Sequence, residues 1–250
     1  MKKTLLLFAI TLMAAISINA QEMSLDEILK SHFEAIGQDK LTAVKSMKMT
    51  GKVSTQGMEF PVVMRVKRPG KVRVEATIQG SVMIQAYNGT EGYMIIPMSG
   101  STEPQDFNED QLKQFKETAE MDGKLYNYKE KGSTLELVGA EDMEGTEVYK
   151  LKLTEKPDQE GGEGDVTYLF IDADSFVILK TNMKRSYGGN EVEMDQFTSN
   201  YKMMNGVAIA HSIESKVGGN SMSQITIDEI VFDEEMPDNL FDKPAKEEGK

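Results

Sequence analysis

The apolar residues of this chain change their spacing several times along its length. From Leu5 to Ile18 they run almost without polar interruption, behind Met1-Lys2-Lys3-Thr4 and ahead of Asn19-Ala20. A basic start, an apolar stretch of roughly fourteen residues and a small-residue end are the pattern of a secretory signal peptide, and the stretch is shorter than the about 20 residues of a membrane span. Residues 1–20 are therefore predicted to be a leader cleaved after Ala20. Leu25, Ile28, Leu29, His32, Phe33 and Ile36 then recur at helical spacing behind Ser24 and Glu27, which form a capping box, and Gly37 ends the run. This predicts a helix with His32 in its apolar stripe, a half-buried core residue.

From Lys45 the period becomes two. Met47, Met49 and Val53 alternate with polar neighbours, Phe60 to Val66 reads as a strand with Pro61 near its start, and Val72, Val74, Ala76 and Ile78 alternate with Lys71, Arg73, Glu75 and Thr77. Val82-Met83-Ile84 and Tyr93-Met94-Ile95-Ile96 flank Asn88-Gly89, a hairpin signal. The alternation stops between 98 and 124, where a polar loop leads to a helix from Asn108 that carries Leu112, Phe115 and Ala119 and closes at Asp122-Gly123. Strand patterns resume at 134–138, 146–154, 166–171, 176–184, 191–204, 207–217 and 223–232, separated by turns such as Asp172-Ala173-Asp174 and Asn205-Gly206. About eleven strands, twelve at most, joined mainly by hairpins predict a mainly β protein with one curved antiparallel sheet. No repeat and no boundary divides it, so 21–244 is expected to be one domain, followed by a charged, disordered tail at 245–250.

Composition narrows the chemistry. There is no Cys, which removes disulfides, thiolate metal sites, cysteine nucleophiles and the lipidated N-terminal cysteine of a lipoprotein. Gln21 follows the predicted cut, so the mature chain is expected to be exported without a lipid anchor. His32 and His211 are the only histidines, too few for a multi-histidine metal centre, and no Gly-x-Ser-x-Gly element accompanies them. The formal charge is −13 and becomes −15 when the leader removes Lys2 and Lys3, with no concentrated basic stretch for nucleic acid. No catalytic residue, metal site or cofactor is expected. Asp172-Ala173-Asp174 lacks the Glu of a calcium loop, and the Asn88-Gly89-Thr90 sequon falls in a predicted turn. Sixteen of the 18 methionines lie beyond the leader, many at strand positions. Methionine suits a surface that accepts irregular apolar ligands, and ordinary core filling explains it equally well.

Several elements, taken in order, resemble those of the LolA-like outer membrane lipoprotein-sorting family, part of a half-barrel superfamily with LolB and RseB. Val66-Lys67-Arg68-Pro69 resembles its Val-Lys-Arg-Pro element, and Tyr87 to Pro97 is similar to its Asp-Gly-Lys-x-Leu-Trp-x-Tyr-x-Pro stretch. Thr167 to Asp172 resembles a strand ending in an Asp-led turn. Phe197 to Tyr201, Gly206, Ile225 to Phe232 and Leu240-Phe241-Asp242-Lys243-Pro244 resemble the end of the domain. The likeness spans roughly residues 45–244. It implies an unclosed half-barrel lidded by its N-terminal and inserted helices, with an apolar concavity for acyl chains. It also implies that Arg68 latches the lid and helps pass cargo onward; from the residues alone, a solvated strand-end arginine beside Pro69 is the favoured reading. Val72 and Val74 stand where the family has Phe and Trp, and Tyr93 where it often has Trp. The residues expected to line the cavity are Met64, Val66, Val72, Val74, Met83, Tyr93, Ile95, Leu112 and Phe115.

The function so implied is a monomeric periplasmic carrier that binds the acyl chains of lipoproteins or similar lipidated cargo for delivery to the outer membrane. Its partners would be an inner-membrane releasing complex and an outer-membrane acceptor. An RseB-like sensor that binds lipid or lipoprotein signals and a membrane-bound regulator is the alternative, disfavoured because the chain has no apparent room for a second C-terminal domain. An envelope enzyme would need a catalytic constellation that the sequence does not supply.

Overall fold

A computed structural model describes residues 23–100, 102–157, 162–187 and 190–245. The predicted leader, and the charged tail beyond Ala245, lie outside these residues.

The helix expected behind Ser24 is α1 (Leu25–Ile36), closed at its start by the reciprocal Ser24–Glu27 capping box. Gly37 ends it in the left-handed conformation at φ 69°, where a side chain would be strained. The chain then turns directly into a short second helix, α2 (Gln38–Ala43), which the sequence pattern did not reveal. Six residues are too few to display a period.

The sheet begins with β1 (Ser46–Thr55), β2 (Met58–Lys67), β3 (Lys71–Ile78), β4 (Ser81–Tyr87), β5 (Gly92–Ile95) and the two-residue β6 (Gln105–Asp106). Helix α3 (Glu109–Thr118) follows, with Asn108 as its capping residue. The remainder is β7 (Thr134–Met143), β8 (Thr146–Thr154), β9 (Val166–Asp172), β10 (Ile178–Tyr187), β11 (Asn190–Met204), β12 (Val207–Val217) and β13 (Asn220–Phe232). All thirteen strands form one sheet in the order β6-β5-β4-β3-β2-β1-β13-β12-β11-β10-β9-β8-β7. Every pairing is antiparallel, and the sheet is an unclosed half-barrel with β6 and β7 as its edges. Beyond the predicted strands it has the short β6, and β7 runs on to Met143, past the expected turn at Gly139. A register shift between Leu137 and Gly139 absorbs that glycine as a bulge.

This topology positions the lid. Residues 107–133 leave the sheet at one edge and re-enter it at the other, so the segment bearing α3 must cross the sheet. On the face it crosses, Met47, Val66, Val72 and Tyr87 stand in register on successive strands, with Met49, Met64 and Val74 in the next row. Phe107, Phe115 and Ala119 pack onto these rows, joined by Leu112 and Met121. In the other half of the sheet Ile28 and Leu29 of α1 pack on Leu135, Leu151, Leu153, Leu169 and Ile171. Between the two, Leu41 of α2 and Met121 meet Met47, Ile227 and Ile230. Each large apolar side chain buried in this way contributes about 1.5–3 kcal/mol, so the lid rests mainly on apolar contact.

The opposite face of β1–β5 is covered by the segment after β13. Phe241 is wholly buried, and Met236 is nearly so. Lys67 donates to the Met236 carbonyl, and Arg73 donates to the Leu240 carbonyl. The strap is pinned further by Lys67 and Lys71 on Asp238 and by Lys243 on Asp106.

Candidate functional site

The β2–β3 turn carries Arg68 to the rim of the helix-covered face. Strand β2 ends at Lys67, the Arg68–Pro69 peptide is cis, and the Arg68 amide donates to the Lys45 carbonyl. From there the guanidinium reaches two other segments at once. Nε donates to the Val44 carbonyl at 2.7 Å, and Nη2 donates to the Leu41 carbonyl at 3.2 Å. Nη1 and Nη2 also donate to the two carboxylate oxygens of Asp122, each at 2.6 Å. The planar fork of arginine matches a carboxylate in this two-pronged manner, a geometry lysine cannot reproduce. Arg68 thus ties α2 and the turn after α3 to one strand end. A hollow of about 530 Å³ opens beside the pair, bordered by Pro69, Gly70, Lys116, Ala119 and Met121.

Asp122 is the partner that sequence reasoning missed. Its local signal, an Asp-Gly pair closing a helix, is fully explained by the turn, and nothing local points to an arginine 54 positions earlier.

The far flank of α3 is held by ions. Lys113 pairs with Asp165 at 2.8 Å, Lys124 bridges Glu155 at 2.5 Å and Glu117 at 3.3 Å, and Lys131 pairs with Glu120. Glu117, Glu155 and Asp165 bring carboxylate oxygens within 4.8 Å of one another. The ammonium groups of Lys124 and Lys113 already lie on these carboxylates, so the cluster reads as an ion-pair network.

Of the residues expected to line a cavity, Met64, Val66, Val72, Val74, Leu112 and Phe115 come together in one apolar cluster beneath the lid. Met49, Met94 and Met121 join them, and Met47 and Met204 lie in the adjoining cluster, so this face is rich in methionine. Met83 is paired with Ala76 and shares the parity of Tyr87, which places it on the same face, away from that cluster. Tyr93 and Ile95 stand on the other face. Tyr93 is in register with Ala86 and Arg73, which alternates with Val72 and Val74 along β3, and its hydroxyl accepts from Arg73 at 3.0 Å. Burial raises the Tyr93 hydroxyl above its ordinary range, against the opposing pull of Arg73. Beside it, burial would raise the Glu75 carboxyl, but hydrogen bonds from Arg73 and Arg65 outweigh that effect and hold it low.

Both histidines are buried. His32 is 4% exposed and donates from Nδ1 to the Phe176 carbonyl at 2.7 Å. Burial lowers its pKa, and the bond to that carbonyl only partly restores it. His211 is 2% exposed and bonds to the Ile209 carbonyl of its own strand.

No family model matches the sequence, and no curated protein matches it. Solved structures do share the fold. A LolA superfamily protein from Nitrosomonas europaea superposes with a TM-score of 0.58 at 13% identity, covering 88% of this chain and 98% of that one. A putative outer membrane lipoprotein-sorting protein domain from Vibrio parahaemolyticus gives the same TM-score at 10% identity, covering 86% and 97%.

Proposed function

From the premise of a LolA-like fold, we propose that the protein is a periplasmic carrier that holds acyl chains of lipoproteins, or of similar lipidated cargo, between its sheet and its helical lid. The observation that carries this reading is the Arg68–Asp122 pair at the rim of a methionine-rich apolar face. A buried acyl methylene contributes about 0.8 kcal/mol, so a cargo with several chains would bind too tightly to leave an open trough unaided. A lid that competes for the same apolar face solves that problem. In the closed state Leu112, Phe115 and Met121 occupy the face. In the loaded state acyl chains replace them, and re-formation of the Arg68–Asp122 pair favours release. The cavity residues are then Met64, Val66, Val72 and Val74 with Met49 and Met94, whereas Tyr93 and Ile95 serve the strap side.

The fold is also that expected of an RseB-like sensor, and the two roles diverge at transfer. Delipidated mature protein is mixed with a fluorescent acyl probe and then with acceptor vesicles. A carrier takes up the probe with a blue shift and passes it to the vesicles. Failure to bind any acyl ligand refutes the proposal, and binding without transfer favours the sensor.

A further inference from the structure

Helices α1 and α2 meet at Gly37, and beside that corner lies a second hollow of about 470 Å³, separate from the latch. Leu29 and Phe33 give it apolar walls. Gln38 also borders it, is 4% exposed, and has no hydrogen-bond partner for either Nε2 or Oε1 among the described residues. A buried primary amide without partners is unfavourable and rare. It offers two donors and an acceptor, the complement of a peptide group. The rim is exposed and acidic: Lys30 pairs with Glu34 at 3.9 Å, while Asp26 and Asp39 make no ion pair among the described residues.

We propose that this hollow docks an extended segment of a partner protein bearing an apolar side chain flanked by Lys or Arg. The apolar side chain seats on Leu29 and Phe33. A backbone amide pairs with the Gln38 carboxamide once that side chain turns toward it. The flanking cations face Asp26 and Asp39. An acyl chain would leave the Gln38 amide unpaired, and an anionic membrane would be repelled by the rim, so a basic peptide is the occupant that satisfies all three features. The site lies apart from the acyl-binding face, and its existence does not depend on acyl carriage.

The test titrates isotopically labelled mature protein with the synthetic peptide acetyl-KLKVK-amide, following side-chain amide resonances. The Gln38 resonance is expected to shift with saturation. Asp39→Lys should weaken binding by about tenfold or more, as expected for reversing a charge that faces a cation. Glu136→Lys, the same charge change on exposed β7, should leave binding unchanged. Gln38→Leu should also weaken binding without lowering the melting temperature. The proposal is overturned if the Gln38 resonance stays fixed, if Glu136→Lys weakens binding as much as Asp39→Lys does, or if acetyl-ELEVE-amide or anionic vesicles bind the site equally well.

Discussion

The guanidinium of Arg68 and the carboxylate of Asp122 meet edge to edge, with both N···O distances at 2.6 Å, and so join the β2–β3 turn to the segment that carries the lid. Arg68 is 30% exposed and Asp122 is 19% exposed, so the pair is partly shielded from water. Removing either partner should cost about 1.5–3 kcal/mol, toward the lower end because some solvent reaches it. Arg68→Leu and Asp122→Ala should each lower the denaturation midpoint and raise the uptake of an acyl probe. The double variant should be less destabilised than the sum of the singles, which a double-mutant cycle measures. Additive effects would show that the two side chains do not act as one latch.

Gly92 lies against the ring of Phe107, and a Cβ at that position would overlap it. Phe107 stacks on Phe115 of α3 with centroids 4.7 Å apart. Gly92→Ala should therefore displace Phe107 and loosen the base of the lid. The expected reading is faster hydrogen exchange across 107–118 than in β7–β13, together with a lower melting temperature. Unchanged exchange in that segment would show that the ring is free to move aside.

His32 gives stability a defined dependence on pH. Its pKa is lowered in the folded state by burial, while an unfolded histidine titrates near about 6.5. Above that value both states are neutral and the contribution is complete. As pH falls below it, the unfolded chain takes up a proton that the folded chain resists, and stability is lost until the folded pKa is passed. Denaturant midpoints should fall between pH 7.5 and pH 5. His32→Asn, which retains a donor for the Phe176 carbonyl, should flatten that part of the curve. The carboxylates contribute their own loss at lower pH, so the difference between the two proteins is the relevant quantity.

The strap on the opposite face depends on Phe241 more than on its ions. Phe241 is wholly buried, so Phe241→Ala should cost about 3–5 kcal/mol. Lys67 and Lys71 hold the Asp238 carboxyl down to about 2, but that side chain is exposed to solvent. Asp238→Asn should therefore change the melting temperature little. Urea denaturation of both variants checks the ranking.

Much of this architecture is legible from local pattern. The Ser24–Glu27 capping box located α1, and alternation from Met47 to Ile78 located the first three strands. What escaped depends on distant partners. Asp122 reads as a turn residue until Arg68 is brought to it. Tyr93 looks like a cavity residue because alternation defines two faces without saying which one the helices cover. Gly139 looks like a turn because a bulge and a turn use glycine for the same conformational reason. The Val-Lys-Arg-Pro element pointed to Arg68 itself, and the carbonyls of Leu41 and Val44 could not be foreseen because α2 is too short to show a period.

The pairing of β1 with β13 has a consequence for how the molecule is assembled. β1–β6 and β7–β13 are each chains of neighbouring hairpins, and the two sets meet at that one seam. Hairpins close quickly because their loops are short, whereas the seam joins segments at opposite ends of the folded region. A chain arriving N-terminus first therefore builds the β1–β6 meander early and cannot zip the seam until β13 has been delivered. Until then β1 presents an unpaired edge, open to mispairing with another chain.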